Sequence, residues 1–312
     1  MRVDVHHHAI FPGYARRLAE LGIGAQPGIP LPAWSAAGSL AMMDRTGIDL
    51  AILSVGSPGF HFGDPQLTRE LCREVNDDLV ATVAEHPRRF RAFAALPLPS
   101  CDDALAELDR VTGDDAFAGV GLLTNYAARY LGDPAFDPLL AELDRRGAVA
   151  HVHPTLPLHY PAAEIDLRPS LIEYVFDTTR AVVNLMLNGV HHRFPGITWI
   201  FSHCGGTAPY LAGRLAIAEP LPELAQAGSV YEALRSFHYD IALATTPYAL
   251  GAAAALVGPG HLLVGSDFPF VDEPTVRGCL SEAAEVLGPD AMDTVARDTP
   301  ARLFPTLTTE TR

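Results

Sequence analysis

Short apolar, β-branched runs alternate with longer amphipathic stretches along the whole chain, the pattern of repeated strand–helix units. Strands are predicted over Arg2–His8, Leu50–Val55, Phe90–Leu96, Gly119–Leu123, Ala148–His153, Ile197–His203, His238–Leu243 and His261–Asp267. The intervening helices are predicted over Pro65–Glu85, Asp102–Val111, Pro134–Arg145, Pro169–His191, Thr207–Ala218, Pro247–Leu256 and Pro274–Leu287. Several open on proline, whose missing N–H costs nothing in a first turn. Eight such alternations predict an α/β fold, a closed (β/α)₈ TIM barrel. No repeat or low-complexity linker interrupts the pattern, so residues 1–312 are expected to form a single domain.

One segment breaks the rhythm. Ala9–Ile48, after the first strand, is a long insertion rich in Pro, Gly and Ala, with Tyr14 and Trp34 inside it. A loop of that length is usually functional or disordered. It reads equally well as a lid over the barrel mouth and as an idle surface excursion.

Composition narrows the chemistry. With 48% hydrophobic residues the chain can bury a large core. Its net charge of -15 argues against nucleic acid or an anionic membrane as partner. All 22 basic residues are arginine; without lysine there is no Schiff base and no carbamate to bridge two metals. Cys72, Cys101, Cys204 and Cys279 are scattered without CxxC spacing, which fits a reducing compartment. No signal pattern opens the chain and no apolar run suits a bilayer span, so a cytoplasmic protein is expected.

The strongest local signal is Asp4-Val5-His6-His7-His8. Strand side chains alternate faces, so His6 and His8 point together and His7 points away. Two neighbouring imidazoles in an apolar strand would repel if protonated; a metal resolves that. Ala148-Val149-Ala150-His151-Val152-His153-Pro154 again pairs two histidines on one face. His153, at the strand end, is the better ligand, and His151, one layer deeper, reads as a supporting or core residue. A third apolar strand ends in His203-Cys204-Gly205-Gly206, and the last in Gly265-Ser266-Asp267-Phe268-Pro269. Each could be an ordinary capped turn. In a barrel, however, the C-terminal strand ends converge on one mouth, and strands one, five, six and eight all deliver a ligand-type side chain there. His191 and His192 near a helix end read as structural, and His61 and His159 as exposed loop residues.

These motifs resemble the amidohydrolase superfamily: DxHxH at the start, HP after strand five, HCGG after strand six and GSDFP at strand eight. More narrowly the chain is similar to its decarboxylase branch, typified by the aminocarboxymuconate-semialdehyde and 6-methylsalicylate decarboxylases. The likeness covers nearly the whole chain, including Asn188-Gly189-Val190 and Arg193-Phe194-Pro195. It implies metal ligands at His6, His8, His153 and Asp267, an acid–base histidine at His203, and a carboxylate-binding arginine at Arg214. The resorcylate and carboxyvanillate enzymes carry Glu in place of the first His, so this chain is nearer the HxH members. An arginine upstream of the aminocarboxymuconate enzyme's MD motif has no counterpart in Ser39-Leu40-Ala41-Met42-Met43-Asp44. That favours a hydroxybenzoate-type monocarboxylate over a dicarboxylate.

The expected activity is therefore metal-dependent, non-oxidative decarboxylation of a small, salicylate-like aromatic acid. Asp267 or His203 would deliver the proton. One divalent metal is expected per subunit; three nitrogens and one oxygen suit Zn²⁺ and also admit Mn²⁺. Hydrolysis of an amide, ester or lactone is the first alternative, and a cyclising or dehydrating reaction of aromatic natural-product assembly the second. An inert, metal-binding barrel is the non-enzymatic one. Arg214 would lie ~10 Å down a helix starting near Thr207, running away from its own mouth. A homodimer in which it serves the neighbouring subunit is expected, as the resemblance also implies.

Overall fold

The computed structural model describes residues 1–157, 160 and 167–309. Eight parallel strands follow one another around the sheet: β1 Val3–His8, β2 Leu50–Ser54, β3 Phe90–Ala95, β4 Phe117–Leu123, β5 Val149–His153, β6 Thr198–Phe201, β7 His238–Asp240 and β8 Leu262–Leu263. Bridges Asp4–Val264 and His7–Phe268 join the last strand to the first, with Val5 N–H donating to the Val264 carbonyl at 2.9 Å. The barrel closes as expected.

Inside it, Val3, Val5, Leu50, Ile52, Phe93, Val149, Ile200 and Leu263 form an apolar floor with Phe304 and Leu307. The main helices wrap the outside: α1 Pro12–Glu20, α2 Ala36–Thr46, α3 Pro65–Glu85, α4 Cys101–Val111, α5 Asp137–Arg146, α6 Pro169–Leu187, α7 Ala208–Ile217, α8 Val230–Ser236, α9 Leu250–Val257 and α10 Glu273–Leu287.

Three expectations are modified. First, Ala9–Ile48 is no free loop, because α1 and α2 lie within it. Phe11, Tyr14, Leu18, Met42 and Met43 pack into the same buried cluster as Ala51, Leu53 and Phe90. His7 anchors it: pointing out of the barrel, its ring meets Ser39 Oγ at 2.9 Å, and Trp34 donates to the same oxygen.

Second, the last three strands stop early. His203, Leu243 and Asp267 have φ of 54°, 54° and 57°, left-handed conformations that end extended geometry and are costly outside glycine. Such strain collects where side chains must be aimed.

Third, His191 and His192 lie beyond the end of α6, on the short helix Val190–Arg193. Their rings stand 3.9 Å apart. Burial, then His192, pushes His191 down to about 4, so this ring stays neutral rather than complementing a helix dipole.

Candidate metal centre

The first strand places its pair of candidate ligands through a bulge. Asp4 pairs with Ala51 but His7 with Leu53, so Val5 and His6 together oppose Ile52. The extra residue changes the alternation. Val5 stays in the apolar floor, and His6 and His8 both face the mouth. Asp4 and His7 face out, Asp4 Oδ2 taking the His7 ring nitrogen at 3.0 Å. Bulges commonly re-aim side chains at barrel rims.

Four of the expected residues meet. His6, His8, His153 and Asp267 each place a donor atom within 4.8 Å of the others'. His6 Nε2 and His8 Nε2 are 3.1 Å apart, and Asp267 Oδ1 lies 3.4 Å from the first and 3.0 Å from the second. Donors ~2.1 Å from a common ion, at octahedral or tetrahedral angles, stand ~3.0–3.4 Å apart. The residues fit a divalent cation.

Behind them the protons are assigned by hydrogen bonding. Asp240 Oδ2 takes His6 Nδ1 at 3.0 Å and His151 Nε2 at 3.1 Å. Its Oδ1 accepts the backbone N–H groups of His203 and Ala242 at 3.1 and 3.0 Å. His6 therefore carries its hydrogen on Nδ1 and turns the Nε2 lone pair to the centre. His153 does the same through Nδ1–H to the Pro154 carbonyl at 2.7 Å. A second grouping of His6, His203 and Asp240 also has metal-ligand chemistry. With both oxygens of Asp240 already serving two donors each, that carboxylate is a support and not a ligand.

Electrostatics agree. Burial pushes His8 down to about 4 and His153 well below the ordinary imidazole value, leaving both neutral. Burial disfavours ionised Asp267, but the His6 and His8 hydrogen bonds outweigh it and hold the carboxyl well below its usual range. Burial likewise opposes charge on His6, yet Asp240 and then Asp267 raise it to about 10. A pocket that draws a positive charge to its centre suits a cation.

His203 is only half-buried. Its Nδ1–H donates to the Ala242 carbonyl at 2.8 Å, leaving Nε2 free of that bond, and its ring centre is 5.0 Å from that of His6. Gly206 makes the turn after it: φ is 66°, and a Cβ there would lie 2.1 Å from the Val175 carbonyl. A Cβ on Gly56 would lie 2.6 Å from His8 Cε1 and 2.9 Å from His153 Nδ1, so the backbone after β2 lies directly against two of the clustered histidines.

A model of the amidohydrolase family matches residues 3–306. The chain belongs to that family. Among amidohydrolase relatives, the 6-methylsalicylic acid decarboxylase of Penicillium expansum is 34% identical, the match covering 86% of this chain and 85% of that one. A solved "amidohydrolase II" is 28% identical with a TM-score of 0.92, covering 98% of this chain and all of the other. The dihydroxybenzoic acid decarboxylase of Polaromonas sp. JS666, solved with manganese and 2-nitroresorcinol, has a TM-score of 0.85 at 20% identity, over 99% and 98% of the two chains. At that identity it speaks for the shared amidohydrolase fold.

Of the other residues singled out, His151 lies below the cluster, flat against Phe93 at 5.3 Å. His61 is half-buried. His159 lies outside the described residues. Arg214 stands apart from the cluster, exposed on α7. Sequence reasoning missed Asp240, fully buried at the end of β7. It also gave no role to Asp4, whose Oδ1 accepts the Ser266 N–H at 3.0 Å beside Asp267.

Asp240→Asn offers NH₂ where four donors need acceptors. Metal affinity should fall ~10–100-fold, as for loss of a partner behind a ligand, with about 1–3 kcal/mol lost in stability. Chelator competition and urea unfolding measure the two. Unchanged metal affinity would remove Asp240 from the centre.

Proposed function

We propose that this chain is a metal-dependent, non-oxidative decarboxylase of a small, salicylate-like aromatic acid. The observation that carries the reading is the mononuclear donor set of His6, His8, His153 and Asp267 with His203 beside it. The salicylate-type activity named for the 34% identical relative supports it. The ion is Zn²⁺ in this reading, with Mn²⁺ as the alternative, and one is held per subunit. Its unpaired cysteines support a cytoplasmic setting. Among the described residues, no helix is long and apolar enough to cross a membrane.

The bound ion would hold the acid's carboxylate and ortho oxygen and stabilise the developing charge. Our assignment gives the chain's residues the rest. A proton is delivered to the ring carbon bearing the carboxylate, from His203 Nε2 or from Asp267. The C–COO⁻ bond then breaks, its electron pair returns to the ring, CO₂ departs, and one proton is consumed per turnover. Because the His203 ring donates to the Ala242 carbonyl and its backbone N–H to the Asp240 carboxylate, its position is fixed before substrate arrives.

Metal-loaded protein should release CO₂ from 2-hydroxy-6-methylbenzoate and lose this activity on chelation. Ester or lactone hydrolysis without CO₂ release would replace the reading with a hydrolase.

We assign Arg214 to the substrate carboxylate of a neighbouring subunit in a homodimer. It lies six residues into α7, ~9 Å along an axis leading away from its own mouth. Tyr210, Arg214 and Ile217 share one face, and the two apolar members are 81% and 84% exposed, a surface suited to a second copy. Mixing Arg214→Ala with His203→Ala subunits should restore one working site per heterodimer. Verified heterodimers without activity would end the shared-site assignment.

A further inference from the structure

Three hydroxyl groups from three parts of the fold meet beside the metal centre. Ser57 follows β2, Thr155 follows β5, and Tyr174 stands on α6. Ser57 Oγ is 2.8 Å from Tyr174 Oη and 3.3 Å from Thr155 Oγ1. Tyr174 packs edge-on to the ligand His153, ring centres 6.4 Å apart. Ser57 directly follows Gly56, whose backbone lies against His8 and His153.

The cluster is held rigidly. Asp177, one turn beyond Tyr174 on α6 and fully buried, accepts from Thr124, from Asn125 at 3.0 Å and from Tyr130 at 2.7 Å. Thr124 Oγ1 in turn accepts the Thr155 N–H at 3.2 Å, and Asn125 donates to the Leu156 carbonyl at 3.0 Å. The loop after β5 is thereby clamped to α6.

The hydrogen count is uneven. Among the described residues, the two contacts use two of the three hydroxyl hydrogens, and no protein acceptor takes the third. Ser57 and Tyr174 are each 6% exposed and Thr155 is half-buried, so the group lies at an edge, as does Asp267 at 8%. A polar group so placed, with a donor left over, matches an oxygen on a ligand. A hydrogen bond to the carboxylate would be lost as CO₂ forms and so would favour the ground state. A ring oxygen keeps its partner throughout.

We propose that Ser57, Thr155 and Tyr174 form a specificity-determining wall that donates a hydrogen bond to a second ring oxygen of the aromatic acid. This rests on the decarboxylase reading. A site built to bond a hydroxyl discriminates strongly against an analogue lacking it. Preference for 2,6-dihydroxybenzoate over 2-hydroxy-6-methylbenzoate is the consequence.

The test measures binding and turnover of both acids by metal-loaded wild type, Tyr174→Phe and Thr155→Val. Wild type should bind 2,6-dihydroxybenzoate at least ~10-fold more tightly. Each variant should lose most of that preference while keeping wild-type metal content. Should neither acid yield CO₂ while the binding preference persists and collapses in the variants, the decarboxylase reading fails and the wall stands. Equal binding of the two acids by wild type, or a preference unchanged in both variants, overturns the wall whatever the turnover. The two variants address different hydroxyls, so one that misfolds leaves the other to decide.

Discussion

Replacing His203 by asparagine is expected to leave one metal ion per subunit and to cut turnover by ~10²–10⁴-fold, the range for losing a positioned proton-transfer group. The expectation follows from the ring's two nitrogens. Nδ1–H is committed to the Ala242 carbonyl at 2.8 Å, which fixes the tautomer and leaves Nε2 as the working atom. His203 is also outside the tighter donor cluster of His6, His8, His153 and Asp267. Asparagine suits this position because φ is 54° there, a conformation asparagine tolerates better than most residues, and its amide can still reach the Ala242 carbonyl. Metal analysis and CO₂ release on the same sample make the check. A folded but metal-free variant would turn His203 into a ligand, and full activity would remove it from the chemistry.

How far the sequence reveals this centre depends on how locally each part is encoded. All eight strands are legible because β-branched runs bounded by turn residues carry their own period. The four residues that cluster at the mouth are legible because each belongs to a short motif near a strand end. Strand ends are less so. Extending the last three strands through His203, Leu243 and Asp267 follows from composition, but all three residues leave extended geometry, and His203 and Asp267 do so where their side chains join the cluster at the mouth. The bulge in β1 is invisible for a similar reason. Strict alternation puts Asp4 on the same face as His6 and His8, and only the pairing of Val5 and His6 against Ile52 turns Asp4 outward.

Asp240 illustrates the remaining gap. One carboxylate in a short strand has no local signature, and its meaning comes from four donors contributed by His6, His151, His203 and Ala242. These span most of the chain, so no window of sequence contains them. The segment Ala9–Ile48 misleads in the opposite sense. Its Pro and Gly content reads as loop, yet tertiary burial of Phe11, Tyr14 and Leu18 holds α1 in place and outweighs weak local propensity.

Asp267→Asn should abolish both metal retention and activity. Asp267 supplies the only negative charge in a donor set whose other members are imidazoles, two of them kept neutral by burial. Its Oδ1 lies 3.4 Å from His6 Nε2 and 3.0 Å from His8 Nε2, where a shared ion would sit, so losing the charge weakens the hold on a cation directly. The affinity loss should exceed the ~10–100-fold typical of a partner behind a ligand, and therefore exceed that of Asp240→Asn. Asparagine is again the informative replacement: with φ at 57° it accepts the left-handed backbone, so the change removes charge without adding strain. The Asp267 backbone N–H still reaches the His6 carbonyl at 2.9 Å, and the strand closure should survive. Circular dichroism should therefore match wild type while metal content falls to background and no CO₂ is released. A variant that keeps its metal and loses only turnover would make Asp267 a proton carrier and not a ligand, leaving three histidines to hold the ion.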